Sequence, residues 1–291
     1  MPALSKTRFK AYSFLLLNAA LWGFGAPIIK YSLNYTTPAL FLFYRFIAAS
    51  FIFFPIFLIH IQRLKKKMSL KHLLLLGLLG GPLTLIPFYY GISTTSSIEA
   101  SLLESVSPIF TILGGVLLLK EVLKKKEILG VSLAIIGTLF LALEPMLSGN
   151  GFSALSVKGN LLIIISDIIW ATFLLSSKKD HVDPISLSFV SFVISIPFFF
   201  AMVRLEGSAL QIHPQAIPGI LYMAVGGSIL AFWAYQEGQR LIEASEAAIF
   251  TYLKPAFAIP LALLWLREPI SIVTITATVI IIFGVYLSEK R

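Results

Sequence analysis

With 57% hydrophobic and only 13% charged residues in 291, the chain carries about half the charge of an average soluble domain, which excludes a water-dissolved enzyme. A mean hydropathy of +0.89 and a bilayer span of about 20 apolar residues leave room for ten closely spaced spans and no separate extramembrane module. The net charge of +9 reads as loop charge that sets membrane orientation rather than as a nucleic-acid footprint, and the lack of cysteine removes disulfides, thiolate metal sites and a Cys nucleophile.

The first apolar run, residues 11–33, follows Lys6, Arg8 and Lys10. It is too long for the core of a signal peptide and reads as a span, with Asn18 one turn before Trp22. The second run, 37–60, contains Pro38 and, about a third of the way in, Arg45; the third, 71–92, carries Gly80-Gly81 and Tyr90. In the fourth, 97–119, Ser97, Ser101, Glu104, Ser105 and Pro108 recur at three- and four-residue steps and so share one helix face. The fifth, 127–143, closes a first half of residues 1–146, and the second half takes in 147–291. The sixth run, 157–178, places Ser166 one turn before Trp170, with Asp167 near its middle; the seventh is 184–204. The eighth, 215–237, holds Gly226-Gly227, Trp233 and Tyr235. Along the ninth, 244–266, Ala244, Ala247, Ala248, Thr251, Lys254 and Pro255 form a stripe like that of the fourth; the tenth is 271–288. These runs lack dyad alternation and are about twice the length of membrane β-barrel strands, so the expected class is an all-α integral membrane protein with ten transmembrane helices.

Alternate loops hold 17 and four of the 23 basic residues, which places both termini in the cytoplasm of a multi-pass protein of the cell (inner) membrane. A gapless shift of 147 residues superimposes Gly80, Gly91, Glu99, Pro108, Glu121 and Gly137 on Gly227, Gly238, Glu246, Pro255, Glu268 and Gly284. Five spans per half is an odd number, so the second copy enters the membrane from the opposite side. Inverted repeats of this kind characterise secondary transporters, whose substrate sites lie near the midplane.

Taken in order, Trp22-Gly23, Pro38, Arg45, Ser107-Pro108, Glu121, Gly130 and Gly137, repeated as Trp170, Pro184, Lys254-Pro255, Arg267-Glu268 and Gly284, resemble the drug/metabolite transporter superfamily. The match is to its ten-helix family of two EamA-type repeats and covers essentially the full chain. Departures are Lys120 and Arg267, where the family often has Gly, and Ala277, where the first half has Gly130. The resemblance implies a transporter, commonly an exporter of amino acids, related metabolites or toxic compounds, with a cavity between the repeats. It also places Tyr90, Trp233 and Tyr235 along that cavity.

Ionisable residues within spans are costly and usually face the interior, which singles out Lys254, Asp167, Glu104 and Arg45. Lys254 needs a buried partner, either a substrate carboxylate or an acid such as Asp167 or Glu104 in a permanent ion pair. Asp167 and Glu104 are candidates for a substrate ammonium, a coupling proton or that ion pair, and Arg45 for ligand contact or for snorkelling to the interface. Trp22, Trp170, Tyr90, Trp233, Tyr235, Asn18 and Thr251 complete the candidate substrate-binding set; each aromatic has core packing as its alternative. Pro108 and Pro255 cannot donate to the carbonyls of Glu104 and Thr251, which makes them candidate kinks. Glu99 and Glu246 read as caps or gates, Glu121 and Glu268 as local salt bridges with Lys120 and Arg267, and the glycine pairs as close approaches or hinges. His60, His72, His181 and His213 are scattered over both membrane faces and no phosphate-binding loop occurs, so neither catalysis nor a metal nor any cofactor is expected. The partners expected are a small-molecule substrate and the lipid bilayer, with a monomer an admissible assembly. The function expected is export of amino acids or related metabolites by alternating access. The alternatives are export of hydrophobic cations or drugs, and a non-transporting membrane sensor or assembly subunit.

Overall fold

Every regular element among the described residues is a helix. The computed structural model describes residues 6–63, 69–104, 107, 109–111, 113–114, 125–147, 154–179, 182–242, 247 and 250–289. The main helices are α1 (Lys6–Ser32), α2 (Pro38–Arg63), α3 (Leu70–Thr94), α4 (Ser97–Glu104), α5 (Lys125–Ala142), α6 (Ala154–Lys179), α7 (Pro184–Leu205), α8 (Pro214–Leu241), α9 (Phe250–Leu266) and α10 (Ile272–Glu289), and a single further turn at Glu144–Leu147 follows α5. Six of these, α1, α2, α3, α6, α7 and α8, are long and apolar enough to cross a bilayer, and α5, α9 and α10 contain shorter apolar helices. Pro108, with Ser105, Lys120, Glu121, His181, Ala244, Glu246 and Ala248, lies outside the described residues.

Helix α1 begins at Lys6 rather than at residue 11, because Lys6, Arg8 and Lys10 end the apolar run without ending the helix. Local chemistry sets other starts: Asp183 accepts from the Ser186 N–H at 2.8 Å and Pro184 occupies the first turn of α7. The outward surface is apolar, with Phe51, Leu205 and Leu264 each more than 80% exposed, as a surface solvated by hydrocarbon requires.

The helices pair across the two halves: α2 lies against α7, α5 against α10 and α4 against α9, while α1 packs on α8 and α3 on α6. Replacing each helix in these pairings by the one five places along returns the same set. Widened turns interrupt α3 at Leu79–Leu83 and α8 at Met223–Leu230, and the shift of 147 residues carries the first into the second. In α3 the run Leu-Gly-Gly-Pro-Leu explains the turn, since Pro82 has no N–H and the backbone leaves helical values at Gly81 (φ −104°, ψ −107°).

Side chains from the partner helix take up carbonyls at these turns. On α1, Trp22 Nε1 donates to the Gly227 carbonyl and Asn18 Nδ2 to that of Ala231, both at 2.8 Å. On α6, Ser166 Oγ donates to the Thr84 carbonyl at 2.8 Å. Thr84 and Ala231 are 147 residues apart and Asn18 and Ser166 are 148, so the α1–α8 clamp recurs as the α6–α3 clamp.

Close packing of α5 on α10 rests on two repeat-related glycines. A Cβ on Gly284 would stand 2.7 Å from the Gly130 carbonyl oxygen, and one on Gly137 would stand 2.8 Å from Ile281 Cγ1. Gly284→Ala is therefore expected to lower the thermal midpoint in detergent by several degrees. Gly226→Ala, whose Cβ meets nothing nearer than 3.5 Å, is expected to stay close to wild type in the same melt.

Candidate functional site

A cavity lies halfway along the helices and is lined from both halves. From the first half come Trp22 and Ala26 of α1, Arg45 and Phe46 of α2, Gly80, Thr84, Phe88 and Tyr89 of α3, and Glu104 of α4. The second half contributes Ser166, Asp167 and Trp170 of α6, Phe192 of α7, Gly227, Ser228 and Phe232 of α8, and Lys254 of α9. The widened turns place Gly80 and Gly227 in the wall, where a Cβ would stand 2.8 Å from the Phe173 ring and 2.4 Å from Met223 Cε respectively.

All four ionisable residues expected from the sequence line this cavity, and the structure distinguishes their surroundings. Lys254 Nζ stands 3.3 Å from Glu104 Oε1, a pair that joins α9 to α4 and hence one half to the other. The same ammonium lies 4.8 Å from the ring centroid of Trp22, whose negative face attracts it. Lys254 opens the α-helical part of α9 after a tight turn at Phe250–Leu253, and Pro255 occupies the first turn of that part. Asp167 is 5% exposed, and its Oδ2 has no hydrogen-bond partner among the described residues. Arg45 is equally buried and donates from Nε to Ser228 Oγ at 2.8 Å and from Nη1 to Tyr89 Oη at 2.7 Å.

Trp22 and Trp170 meet edge to face at 5.4 Å and form the aromatic wall. The other residues of the expected set stand outside the lining. Tyr235 is fully buried behind the two tryptophans, stacked on Trp22 at 5.9 Å, and Trp233 packs edge-on against Phe14 at 5.2 Å. Asn18 serves the clamp to α8, and Thr251 is a buried residue of the turn that precedes Lys254.

Tyr90 points away from the cavity and donates to Glu206, beyond the end of α7. Glu206 also accepts from Thr37 Oγ1 at 2.6 Å, so the α1–α2 link, α3 and the α7–α8 link are tied at one end of the bundle. Nearby, Lys30 Nζ donates to the carbonyls of Ile92 and Ser93 at the end of α3. Glu268 accepts from the Ser97 and Ile98 N–H groups at 3.0 and 3.1 Å, capping α4 in place of the local salt bridge expected with Arg267. At the opposite end His60 Nε2 stands 3.0 Å from Asp183, joining α2 to α7.

Sequence reasoning missed Tyr89, Ser228 and Glu206. Tyr89 is adjacent to the chosen Tyr90, and one residue turns a helix face by about 100°, so only the need of Arg45 for a partner pointed to it.

A family model described as the EamA-like transporter family matches the chain twice, over residues 9–143 and 157–289. The chain belongs to that family. An uncharacterized transporter of Archaeoglobus fulgidus is 25% identical over 97% of this chain and 98% of its own. A probable amino-acid metabolite efflux pump of Salmonella typhimurium is 27% identical over 94% and 92%, and one of Escherichia coli is 26% identical over the same shares. A crystal structure of a protein 16% identical in sequence superposes with a TM-score of 0.71, covering 98% of this chain and 96% of that one, which shows a shared fold. The family member described here is thus a multi-pass membrane transporter.

Removing one partner of a buried ion pair typically costs about 3–5 kcal/mol, whereas removing both leaves no bare charge. Lys254→Met is accordingly expected to lower the thermal midpoint of the purified protein, and Lys254→Met with Glu104→Gln to recover most of the loss. A double variant no more stable than the single one would remove the pair from the account.

Proposed function

We propose that the protein exports small amphipathic metabolites, amino acids or their relatives, across the cytoplasmic membrane by alternating access. In this reading residues 1–146 and 147–291 are inverted five-helix repeats and both termini face the cytoplasm. The observation that carries it is the cavity itself: lined by both halves, aromatic on its walls, and furnished with buried charge of both signs. Such a site suits a molecule with an apolar body and two opposite charges, since a transporter must replace the water lost by each charged group. Asp167, with a buried carboxyl oxygen that has no hydrogen-bond partner among the described residues, is the seat for the ammonium. Lys254 and Glu104 then act as a joint between the halves whose making and breaking accompanies the change of access. The names of the Salmonella typhimurium and Escherichia coli relatives accord with this substrate class.

Export of hydrophobic cations is a second reading, and the same Asp167 beside aromatic rings favours it. Proteoliposomes loaded with a mixed pool of amino acids, amines and other small metabolites, with the effluent read by mass spectrometry, separate the two. Selective loss of amino acids is the expected result, and Lys254→Ala vesicles, in which Glu104 stands bare, are expected to retain their load. Loss of amines alone would favour the cation reading, and no loss under an imposed proton gradient would overturn both.

The end of the bundle tied by Glu206, Tyr90 and Thr37 is on this orientation the external one, so that cluster is a latch over the cavity. The chain contains no cysteine, so Ala26→Cys places a single thiol in the cavity wall. Glu206→Ala is expected to raise its labelling by an external, membrane-impermeant maleimide severalfold; an unchanged rate would show that the cluster is no barrier.

A further inference from the structure

Two cations line the cavity, and among the described residues only one of them has an acid. Lys254 is matched by Glu104, whereas no carboxylate lies within 4 Å of the Arg45 guanidinium. The partners of Arg45 are neutral: the hydroxyls of Ser228 and Tyr89 and the rings of Phe46 and Tyr89, whose centroids are 5.1 and 5.8 Å away. Rings and hydroxyls offset part of the cost of burying a guanidinium, but they carry no negative charge. A buried positive charge without a counter-ion, held on the wall of a cavity, is an incomplete pair.

We infer that Arg45 is the seat of a carboxylate carried by the transported molecule. This rests on the cavity being the transport site and assigns the acidic end of the substrate to Arg45, with Lys254 left to Glu104. The two hydroxyls hold Nε and Nη1 from α8 and α3, so the planar fork is oriented before any ligand arrives and the remaining donors are available for two parallel bonds to a carboxylate. Beside them the widened turn of α8 packs closely: a Cβ at Gly227 would stand 2.4 Å from Met223 Cε and 3.6 Å from Nη2, so only a residue without a side chain fits between Met223 and the guanidinium. With Asp167 also on the wall, the cavity presents, among the described residues, one cation without an acid and one acid with an unpartnered oxygen, which fits a molecule bearing both a carboxylate and an ammonium.

The test reads binding rather than flux, using the tryptophan fluorescence of the purified full-length protein, since Trp22 and Trp170 face the cavity. The probes are 3-phenylpropanoate and its amide, which share an aromatic body and differ in the charge. Wild type is expected to hold the acid at least about ten-fold tighter than the amide, as a charge-assisted fork implies. Arg45→Gln is expected to remove that preference while leaving the affinity for the amide. Acid and amide held equally by wild type would overturn the assignment, as would a preference that survives Arg45→Gln, or loss of both probes alike in a folded variant. Should Arg45→Gln fail to fold, Tyr89→Phe, which withdraws one orienting hydroxyl, is expected to shrink the preference, and an unchanged preference would again overturn it. Vesicles that move no solute while the acid still binds through Arg45 would defeat the transport reading and keep the anion seat. Efflux of amines without any preference for acids would do the reverse.

Discussion

A bilayer offers no water to a backbone carbonyl, so every turn that departs from regular helix must find a donor inside the protein. Two such departures, in α3 and α8, line the cavity. The donors that answer them, Ser166 on α6 and Trp22 with Asn18 on α1, come each time from the opposite half. The rest of the arrangement follows from this exchange. The clamps draw α1 to α8 and α6 to α3, and those four helices then frame the space into which the glycines open. Irregular backbone in a membrane is tolerated where it lines a cavity, and here it helps to make one.

The charged side chains follow the same rule of satisfaction, with unequal success. Lys254 and Glu104 complete each other, and Trp22, already engaged through its Nε1 with α8, turns its ring face to the ammonium. One tryptophan therefore contributes to backbone satisfaction, to charge burial and to the aromatic wall. Among the described residues Arg45 and Asp167 remain incompletely matched. Unmatched groups concentrated in one cavity are the ground on which the proposed ligand is placed there, in the same way that perturbed environments point to sites in soluble enzymes.

Much of this was legible in the sequence because hydropathy, turn residues and self-similarity report on membrane helices directly. The Gly-Gly pairs at Gly80 and Gly227 marked the widened turns, and the scarcity of charge within spans led to all four cavity ionisables. What the sequence did not resolve is direction around a helix. Tyr89 and Tyr90 differ by one position, yet one holds Arg45 in the core and the other ties α3 to Glu206. Trp233 and Tyr235 sit on a cavity-lining helix, but Phe14 and the Trp22–Trp170 pair occupy their faces. Glu268 lies beside Arg267 in sequence, and its carboxylate is drawn instead to the free N–H groups that begin α4. Composition cannot report such competition among partners, because the partners are distant in the chain.

The Lys254–Glu104 pair also bears on how the two halves came to depend on each other. The repeat shift sets Glu104 opposite Thr251 and Lys254 opposite Ser107, so the halves match in backbone and differ in charge. A first half paired with a copy of itself would set Glu104 against Ser107, and a second half paired with its copy would set Lys254 against Thr251, so neither could form this ion pair. Each half therefore supplies one member of a pair that neither could make with a copy of itself, so the two halves are not interchangeable parts.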